Sequence, residues 1–492
     1  MKSILRIFLP ACAALLFLSS CSGLKKAGCV TNCGGGSGNA KLTISMYDAP
    51  PTGVAVLSFT LPIAGISLTP TTGSPVSIPT LISSVEVTRL QTDSDIIASA
   101  VSVPAGTYTA INVTIGPTTA TANAFINSSG STITYGTSTC LAGAVCRLPI
   151  GAITTVTIPL SLTLSANQNQ WIGLDFNLNN AITTSNGISV DFTQANVLTA
   201  RTTLRTNTPS GAVDTLDDFA GLVTAYTSGS TITVKSNIRG SLTAAITSGT
   251  TYDDPQSQCS GSANVQACIA SGAIVSIQGI ITPAGTVTAT EIDVIDSATN
   301  ANATDEVEGI VYPSLCNGAG SFGMILADST VVTGNATLTG LTAGAGLCLK
   351  PSLTATYAVD SGKLFTAINE PTVGFQSSSD IISGQVIRAR VTGVTSGTVV
   401  TATATRLLLR FSRLTGTVNT PGATFFTVNN LPAYLNLLTS PQVGTYLNYT
   451  MFDGISDASS LTNGQTVSFR ALYLNPGSGA TPVFLADKVR VP

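Results

Sequence analysis

The chain has 492 residues, of which 21 are Lys or Arg and 24 are Asp or Glu, so only 9% of the chain is charged and the formal net charge is −3. It contains no histidine, which excludes hydrolases with a Ser-His-Asp or Cys-His centre and metal sites with imidazole ligands. The sparse basic charge and a pI near 5.0 argue against nucleic acid as a partner, because phosphate binding needs a surface rich in Lys and Arg.

The N-terminus has the features of an export signal. Lys2 and Arg6 precede an apolar stretch at residues 7–18, and Leu18-Ser19-Ser20-Cys21 follows. This order and spacing resemble the bacterial lipoprotein signal, in which the cysteine is lipidated and becomes the mature N-terminus. We therefore predict a signal peptide at 1–20 and lipidation at Cys21. The alternative is an ordinary secretory signal that is cut elsewhere.

The residues after Cys21 predict a cellular location and a flexible tether. Ser22 stands at the next position, and in the Gram-negative sorting pattern that the signal resembles a residue other than Asp there favours the outer membrane. Residues 21–40, with Gly and Ser at 34–38, are typical of a flexible linker. The predicted location is therefore the outer membrane, reached through an N-terminal lipid, and the membrane is a predicted partner.

Eight cysteines follow Cys21, and an even number in an exported chain indicates disulfides. The simplest pairing joins neighbours in sequence: Cys29–Cys33, Cys140–Cys146, Cys259–Cys268 and Cys316–Cys348. Cys29 and Cys33 lie in the tether and could instead crosslink to a neighbouring chain. A thiolate metal site is the alternative, but no CxxC motif occurs and the compartment is oxidising. We therefore predict no metal site and no cofactor.

Residues 41–205 are predicted to form a β-sandwich-like domain. Residues 41–46, 110–115 and 171–178 alternate between apolar and other residues with the period of a strand. Residues 81–90 are the one candidate for a helix. The segments Asp48-Ala-Pro50, Pro104-Ala-Gly-Thr-Tyr108 and Leu174-Asp-Phe176 resemble a family of uncharacterised bacterial lipoprotein domains. That resemblance implies a β-rich surface domain and no reaction.

The rest of the chain repeats a pattern. A Gly opens each unit, at Gly221, Gly309 and Gly416, and Val-rich stretches with further Gly residues follow. The predicted modules are 218–297, 305–410 with an insertion, and 411–492. Each has five or six short strands without helices, and closure into a barrel would remove the open edges. The pattern resembles a second uncharacterised bacterial family, which implies small OB-like barrels.

Few side chains remain that could do chemistry. The local acid clusters are Asp93 with Asp95, Asp175 with Asn177 and Asn179, Asp217 with Asp218, and Asp253 with Asp254. We interpret these acids as solvated turn or strand-end residues, since nothing in the sequence brings two clusters together. The calcium-loop motif D-x-[DN]-x-[DN]-G is absent. No catalytic residue is predicted.

Trp171, the only tryptophan, is the one candidate ligand-binding residue. It lies beside an alternating strand, so it belongs either to the core or to a platform that stacks on a ligand. The sequence as a whole favours a non-catalytic, lipid-anchored envelope protein with a structural, adhesive or display role, and a glycan or a cell-surface protein as partner. The alternative is a glycan- or polymer-binding accessory lipoprotein. A hydrolase that uses carboxylates alone is disfavoured, because it needs two acids across a cleft.

Overall fold

The fold is all-β, with a two-sheet domain followed by three small barrels. The computed structural model describes residues 38–49, 55–117, 123–127, 131–135, 138–150, 153–183, 189–259, 264–298, 304–312, 315–316, 318–360, 362, 374–435, 437, 440–475 and 483–491. The predicted signal peptide, Cys21, Cys29 and Cys33 lie outside these residues. No helix in the described part is both long and apolar enough to cross a membrane.

The described residues of the first domain form fifteen strands in chain order. They are β1 (Asn39–Ala49), β2 (Ala55–Pro70), β3 (Val76–Ile78), β4 (Ser84–Glu86), β5 (Asp95–Pro104), β6 (Gly106–Ile115), β7 (Asn123–Ile126), β8 (Ile133–Tyr135), β9 (Ser138–Cys140), β10 (Val145–Arg147), β11 (Thr154–Leu164), β12 (Asn169–Asn177), β13 (Ile182–Thr183), β14 (Ser189–Val190) and β15 (Leu198–Arg201).

Two sheets of this domain enclose one apolar core. The first has the order β15-β12-β1-β5, and the second has the order β10-β7-β2-β6-β11 with β3 and β4 also paired to β2. Leu42 and Ile44 of β1, Leu61 of β2 and Phe176 of β12 belong to the same buried cluster. The alternation seen in the sequence therefore places one face of each strand between the sheets, as expected for a sandwich.

The predicted helix at 81–90 is wrong. Strand β4 lies in the middle of this segment, and a 3-10 turn, Val87–Gln91, follows. Val85 of β4 pairs with Leu61 of β2 in an antiparallel ladder. The segment is short and carries β-branched residues, so pairing with an existing strand outweighs helix formation.

The three barrels follow one another along the chain. Barrel 1 contains β16 (Asp214–Thr227), β17 (Thr231–Ser236), β18 (Gly240–Ala245), β19 (Thr251–Asp253), β20 (Ile274–Ile281) and β21 (Val287–Asp296). Barrel 2 contains β22 (Asp305–Val311), β23 (Phe322–Thr330), β24 (Gly346–Val359), β25 (Val386–Thr395) and β26 (Val400–Arg410). Barrel 3 contains β27 (Ser412–Thr420), β28 (Phe425–Asn429), β29 (Gln442–Thr445), β30 (Met451–Asp453), β31 (Thr466–Leu474) and β32 (Val483–Arg490).

The barrels share one strand order, so the repeat seen in the sequence is a structural repeat. Barrel 2 closes in the order β22-β23-β24-β26-β25. Barrels 1 and 3 form the same ring of pairings, β16-β17-β18-β21-β20 and β27-β28-β29-β32-β31. Their third strand is divided, so that β19 and β30 form its second half and pair in parallel with the fifth strand.

The Gly that opens each module lies in the first strand of its barrel, where the second strand approaches closely. A Cβ atom added to Gly416 would lie 2.7 Å from the carbonyl oxygen of Asn429, and Cβ atoms at Gly221 and Gly309 would meet the carbonyl oxygens of Lys235 and Ile325. Real Cβ atoms do not come this close to backbone, so the motif requires Gly for packing.

The remaining helices among the described residues are single turns, and residues 353–359 of the predicted insertion lie in a strand. The helices are α1 (Leu178–Ala181) and α2 (Ala336–Thr339), with 3-10 turns at Val265–Cys268, Ser378–Asp380, Ala433–Leu435 and Ala458–Ser460. The extra material expected from residue 353 onward begins inside β24. Barrel 1 begins at Asp214, four residues before the predicted boundary at 218, and those residues pair with β20.

Candidate functional site

A β-bulge in β16 places two acidic residues at the centre of a network of ion pairs. The ladder between β16 and β20 shifts register between Leu216 and Phe219, and Asp218 has a left-handed backbone conformation with φ of 51°. A bulge bends a strand and re-aims its side chains, and Asp is one of the residues that tolerate positive φ. Asp217 and Asp218 are only 6% and 1% exposed, so both carboxylates lie in the interior.

The Asp218 carboxylate contacts arginines of the two later barrels. Its Oδ1 lies 3.1 Å from Nη2 of Arg410 in barrel 2. Its Oδ2 lies 2.9 Å from Nη2 of Arg413 and 3.4 Å from Nε of Arg470, both in barrel 3. Burial alone would raise the pKa of Asp218, but Arg470, Arg410 and Arg413 outweigh burial and hold that pKa far below its usual range. Asp218 is therefore a carboxylate under all ordinary conditions.

The backbone of Asp218, which belongs to barrel 1, adds the first domain to these contacts. Its carbonyl oxygen accepts hydrogen bonds from Arg89 of the first domain at 3.3 Å and from Arg239 of barrel 1 at 3.1 Å. The neighbouring Asp217 accepts from Nζ of Lys488 in barrel 3 at 2.9 Å, and its N–H donates to Oδ1 of Asp93 at 2.7 Å. All four domains therefore meet at this bulge, which we call the Asp218 hub.

Further buried ion pairs join the domains around the hub. Each joins an acid and an arginine from different parts of the chain: Arg89 with Glu308, Arg239 with Asp95, Arg390 with Asp296, Arg490 with Asp214, and Arg205 with Asp453. The chain has thirteen arginines, and eleven of them form ion pairs within the described residues. The scarce charge of this protein is thus concentrated where its domains meet.

The interpretation of the acid clusters as solvated was wrong for two of the four. Asp93 and the pair Asp217-Asp218 are buried, and the hub brings Asp93 and Asp217 into direct contact. The other two clusters include turn caps, but Asp175 is only partly exposed and its Oδ1 is inaccessible to solvent. Asp254 accepts from the N–H groups of Gln258 and Cys259, and Asn177 caps α1.

Each barrel has a corner where the end of the third strand meets the fifth strand, and an acid ends the third strand at all three corners. In barrel 3, Asp453 is paired with Arg490, and its Oδ2 lies 2.6 Å from Nε. In barrel 2, Asp360 directly follows β24 and forms an ion pair with Arg410. In barrel 1, Asp253 faces Asp293 instead of an arginine.

The corner of barrel 1 lies against the corner of barrel 2. One carboxylate oxygen from each of Asp253, Asp293 and Asp360 lies within 4.8 Å of the other two. Asp293 is 0% exposed, and neither of its oxygens accepts a hydrogen bond. Burial, and then the charge of Glu291, raise the pKa of Asp293 well above its usual value. These three acids form a second charged centre, which we call the acid triad.

Trp171 does not offer a stacking platform. It is 5% exposed and packs with barrel 1 residues such as Leu216. Its Nε1 donates to Oγ of Ser45 at 2.9 Å, and the Arg201 guanidinium lies 5.1 Å from the ring centroid. The ring is thus covered by protein on the side facing the next domain, and the ligand-binding prediction is not supported by its position. The core interpretation fits.

The disulfides agree with the sequential pairing where the structure describes them. Cys140–Cys146, Cys259–Cys268 and Cys316–Cys348 are bonded. Cys259–Cys268 closes the loop that follows β19, so it restrains the chain just after Asp253 of the acid triad.

The sequence analysis missed the arginines. The available signal was an Arg placed within otherwise apolar strands, as in Val386-Ile-Arg-Ala-Arg390 and Arg406-Leu-Leu-Leu-Arg410. A charged residue in a buried strand needs a partner. The sequence alone does not say which acid that partner is.

Comparison with known families finds two uncharacterised domains. Residues 39–191 match the model of Domain of unknown function (DUF4382), and residues 220–293 match that of Domain of unknown function (DUF5666). No curated protein matches the chain. A solved chain titled "drosophila Unr CSD456" is 9% identical with a TM-score of 0.13, over 55% of this chain and 94% of that chain. A TM-score of 0.13 is too low to indicate a shared fold.

Proposed function

We propose that this chain is a non-catalytic, lipid-anchored protein of the bacterial cell envelope with a structural, adhesive or display role. The observation that carries the proposal is the Asp218 hub, which joins the two-sheet domain and all three barrels through buried ion pairs. Such a hub favours one rigid body, because separating the domains would leave charges buried without partners or force their rehydration. A rigid β-body on a lipidated tether suits display away from a membrane.

The chemistry around the clefts favours a non-catalytic role over a carboxylate hydrolase. One cleft is lined by Arg201, Arg205, Asp214 and Asp453, and so contains two acids. Arg201 lies 3.7 Å from Asp214, and Arg205 lies 3.4 Å from Asp453. A general acid needs a raised pKa, whereas arginines lower the pKa of Asp453 despite its burial. Asp453 is therefore poorly suited to donate a proton.

The anchoring part of the proposal rests on the signal and Cys21, and it is tested by labelling. The full-length chain would be expressed in a Gram-negative host with a labelled fatty acid, beside a Cys21→Ser variant and a Cys12→Ser control. We expect label and outer-membrane fractionation for the wild type and the control, and neither for Cys21→Ser. An unlabelled wild-type chain that fractionates with soluble proteins would refute lipid anchoring.

The role itself is tested by a binding screen. The purified protein would be applied to an array of glycans and cell-wall polymers, with heat-unfolded protein as the control. A structural or display role, or adhesion to a protein partner, predicts no saturable binding to these polymers. Specific binding would favour the glycan-binding alternative, and the exposed aromatic side chain of Phe425, which is 43% exposed, would be the first residue to replace.

A further inference from the structure

The acid triad is assembled from two barrels. Asp253 ends β19 and pairs with Asp293 of β21, while Asp360 follows β24 of barrel 2. The three carboxylates each place an oxygen within 4.8 Å of the others. Gly362, just beyond Asp360, passes beside Glu291, since a Cβ there would lie 3.3 Å from Glu291 Oε1. The chain after β24 therefore packs against the same corner of barrel 1.

The triad contains a buried carboxylate that no protein group satisfies with a hydrogen bond. Both oxygens of Asp293 are inaccessible to solvent and without a hydrogen-bond partner. Oδ1 of Asp360 is also without one, while its Oδ2 contacts Arg410. Buried carboxylates in native proteins are normally paired, hydrogen-bonded or bound to a metal.

Arg410, which contacts the triad at Asp360, is shared among several acids. It also contacts Asp218 and lies 3.8 Å from Glu308. At the corner of barrel 3, by contrast, Arg490 forms an ion pair with Asp453 directly. Barrel 1 has an acid where the other two barrels have this arginine, so its corner contains two facing carboxylates and no cation of its own.

We propose that the acid triad binds a divalent metal ion, with Ca²⁺ the best match, between barrels 1 and 2. Carboxylate oxygens are the ligands of hard cations, and the triad offers no nitrogen or sulfur. Ca²⁺ takes six to eight oxygens in flexible geometry. Asp253 is partly exposed, so ions can enter from its side and water can complete the coordination. The bound ion supplies the positive charge that arginine supplies in the other barrels and joins barrel 1 to barrel 2.

The test is a calcium titration of the full-length purified protein after treatment with a chelator. Calorimetry with CaCl₂ should give one saturable site per chain with a Kd in the micromolar to millimolar range, and the melting temperature should rise as the site fills. Asp253→Asn should weaken binding about tenfold or more, because it removes a charged ligand from a partly exposed position where the fold tolerates the change.

The matched control is Asp328→Asn. Asp328 is 0% exposed and also has an oxygen without a hydrogen-bond partner, but it does not belong to the triad. This variant should bind Ca²⁺ as the wild type does. Absence of saturable heat and of any melting shift with CaCl₂, MgCl₂ and MnCl₂ would overturn the proposal, and so would unchanged affinity in Asp253→Asn. None of these results bears on lipid anchoring or on the glycan screen.

Discussion

The corners of the three barrels have the same backbone arrangement and different charges. In barrels 2 and 3 the acid that ends the third strand meets an arginine, in the pairs Asp360–Arg410 and Asp453–Arg490. In barrel 1 it meets Asp293. Strand order is therefore repeated from module to module, whereas the balance of charge is set by contacts between modules. Arg410 of barrel 2 even donates to Ser276 of barrel 1, which faces Asp293 in the ladder.

The largest effect is expected where one arginine serves several acids. Arg410→Met would leave Asp218, Glu308 and Asp360 buried with one cation fewer. Loss of one partner from a buried ion pair costs about 3–5 kcal/mol of unfolding free energy. Urea unfolding of the full chain would measure this loss. Lys235→Met, at an exposed position of β17, is the control and should change stability by less than about 0.5 kcal/mol. Equal effects of the two substitutions would contradict the role of Arg410.

A substitution at the corner of barrel 3 should cost less stability than Arg410→Met. Asp453→Asn removes the closest partner of Arg490, but Asp214 at 3.6 Å and the carbonyl of Asp93 at 3.2 Å remain. We expect a loss of about 2–3 kcal/mol, the range for a hydrogen bond to a charged group plus incomplete compensation. Thermal unfolding at neutral pH measures it. A stabilised variant would show that the corner pairs do not hold the barrel.

The contribution of Asp487, in β32, to stability should depend on pH. Burial raises the pKa of Asp487 to about 7, although Arg470 lies 3.0 Å away. The folded chain then holds a proton that the unfolded chain releases near pH 4. The contribution of Asp487 to stability is therefore greatest at low pH and decreases as the pH rises from about 4 to about 7.

The Asp487→Asn variant should therefore lose less stability than the wild type between about pH 5 and pH 7, by about 2 kcal/mol. Urea midpoints measured across this range give the comparison. Asp453 should behave in the opposite sense, because arginines lower its pKa and its stabilisation is lost only as the pH falls below about 4. Parallel pH profiles for the wild type and Asp487→Asn would argue against a raised pKa at Asp487.

The smallest effect is expected at the corner of barrel 1, where a substitution should increase the stability of the protein instead of decreasing it. In a chelator, Asp293→Asn should raise stability by about 1 kcal/mol, because it removes a buried carboxylate without a hydrogen-bond partner. In calcium the wild type should regain the advantage, since only it keeps this ligand. Thermal unfolding with and without CaCl₂ separates the two cases. Destabilisation of Asp293→Asn in chelator would show that the protein already satisfies this carboxylate.

The local architecture of this protein could be predicted from patterns in its sequence. Strand periodicity predicted an all-β fold, and the opening Gly residues marked three modules because each lies against a neighbouring strand with no room for a Cβ atom. The described disulfides followed from proximity, since each joins cysteines close in sequence. The helix prediction at 81–90 failed because pairing with β2 decided the conformation of that segment.

The hub, the triad and the position of Trp171 depend instead on how the domains pack against one another. The arginines that contact the Asp218 carboxylate lie 192 to 252 residues away in the chain, and the triad includes residues of two barrels. Strand patterns report which face of a strand is buried, but not which domain covers that face. Ion pairs between domains form between side chains that domain packing brings together. The partners of the few charged residues in this chain are therefore known only from the packed structure.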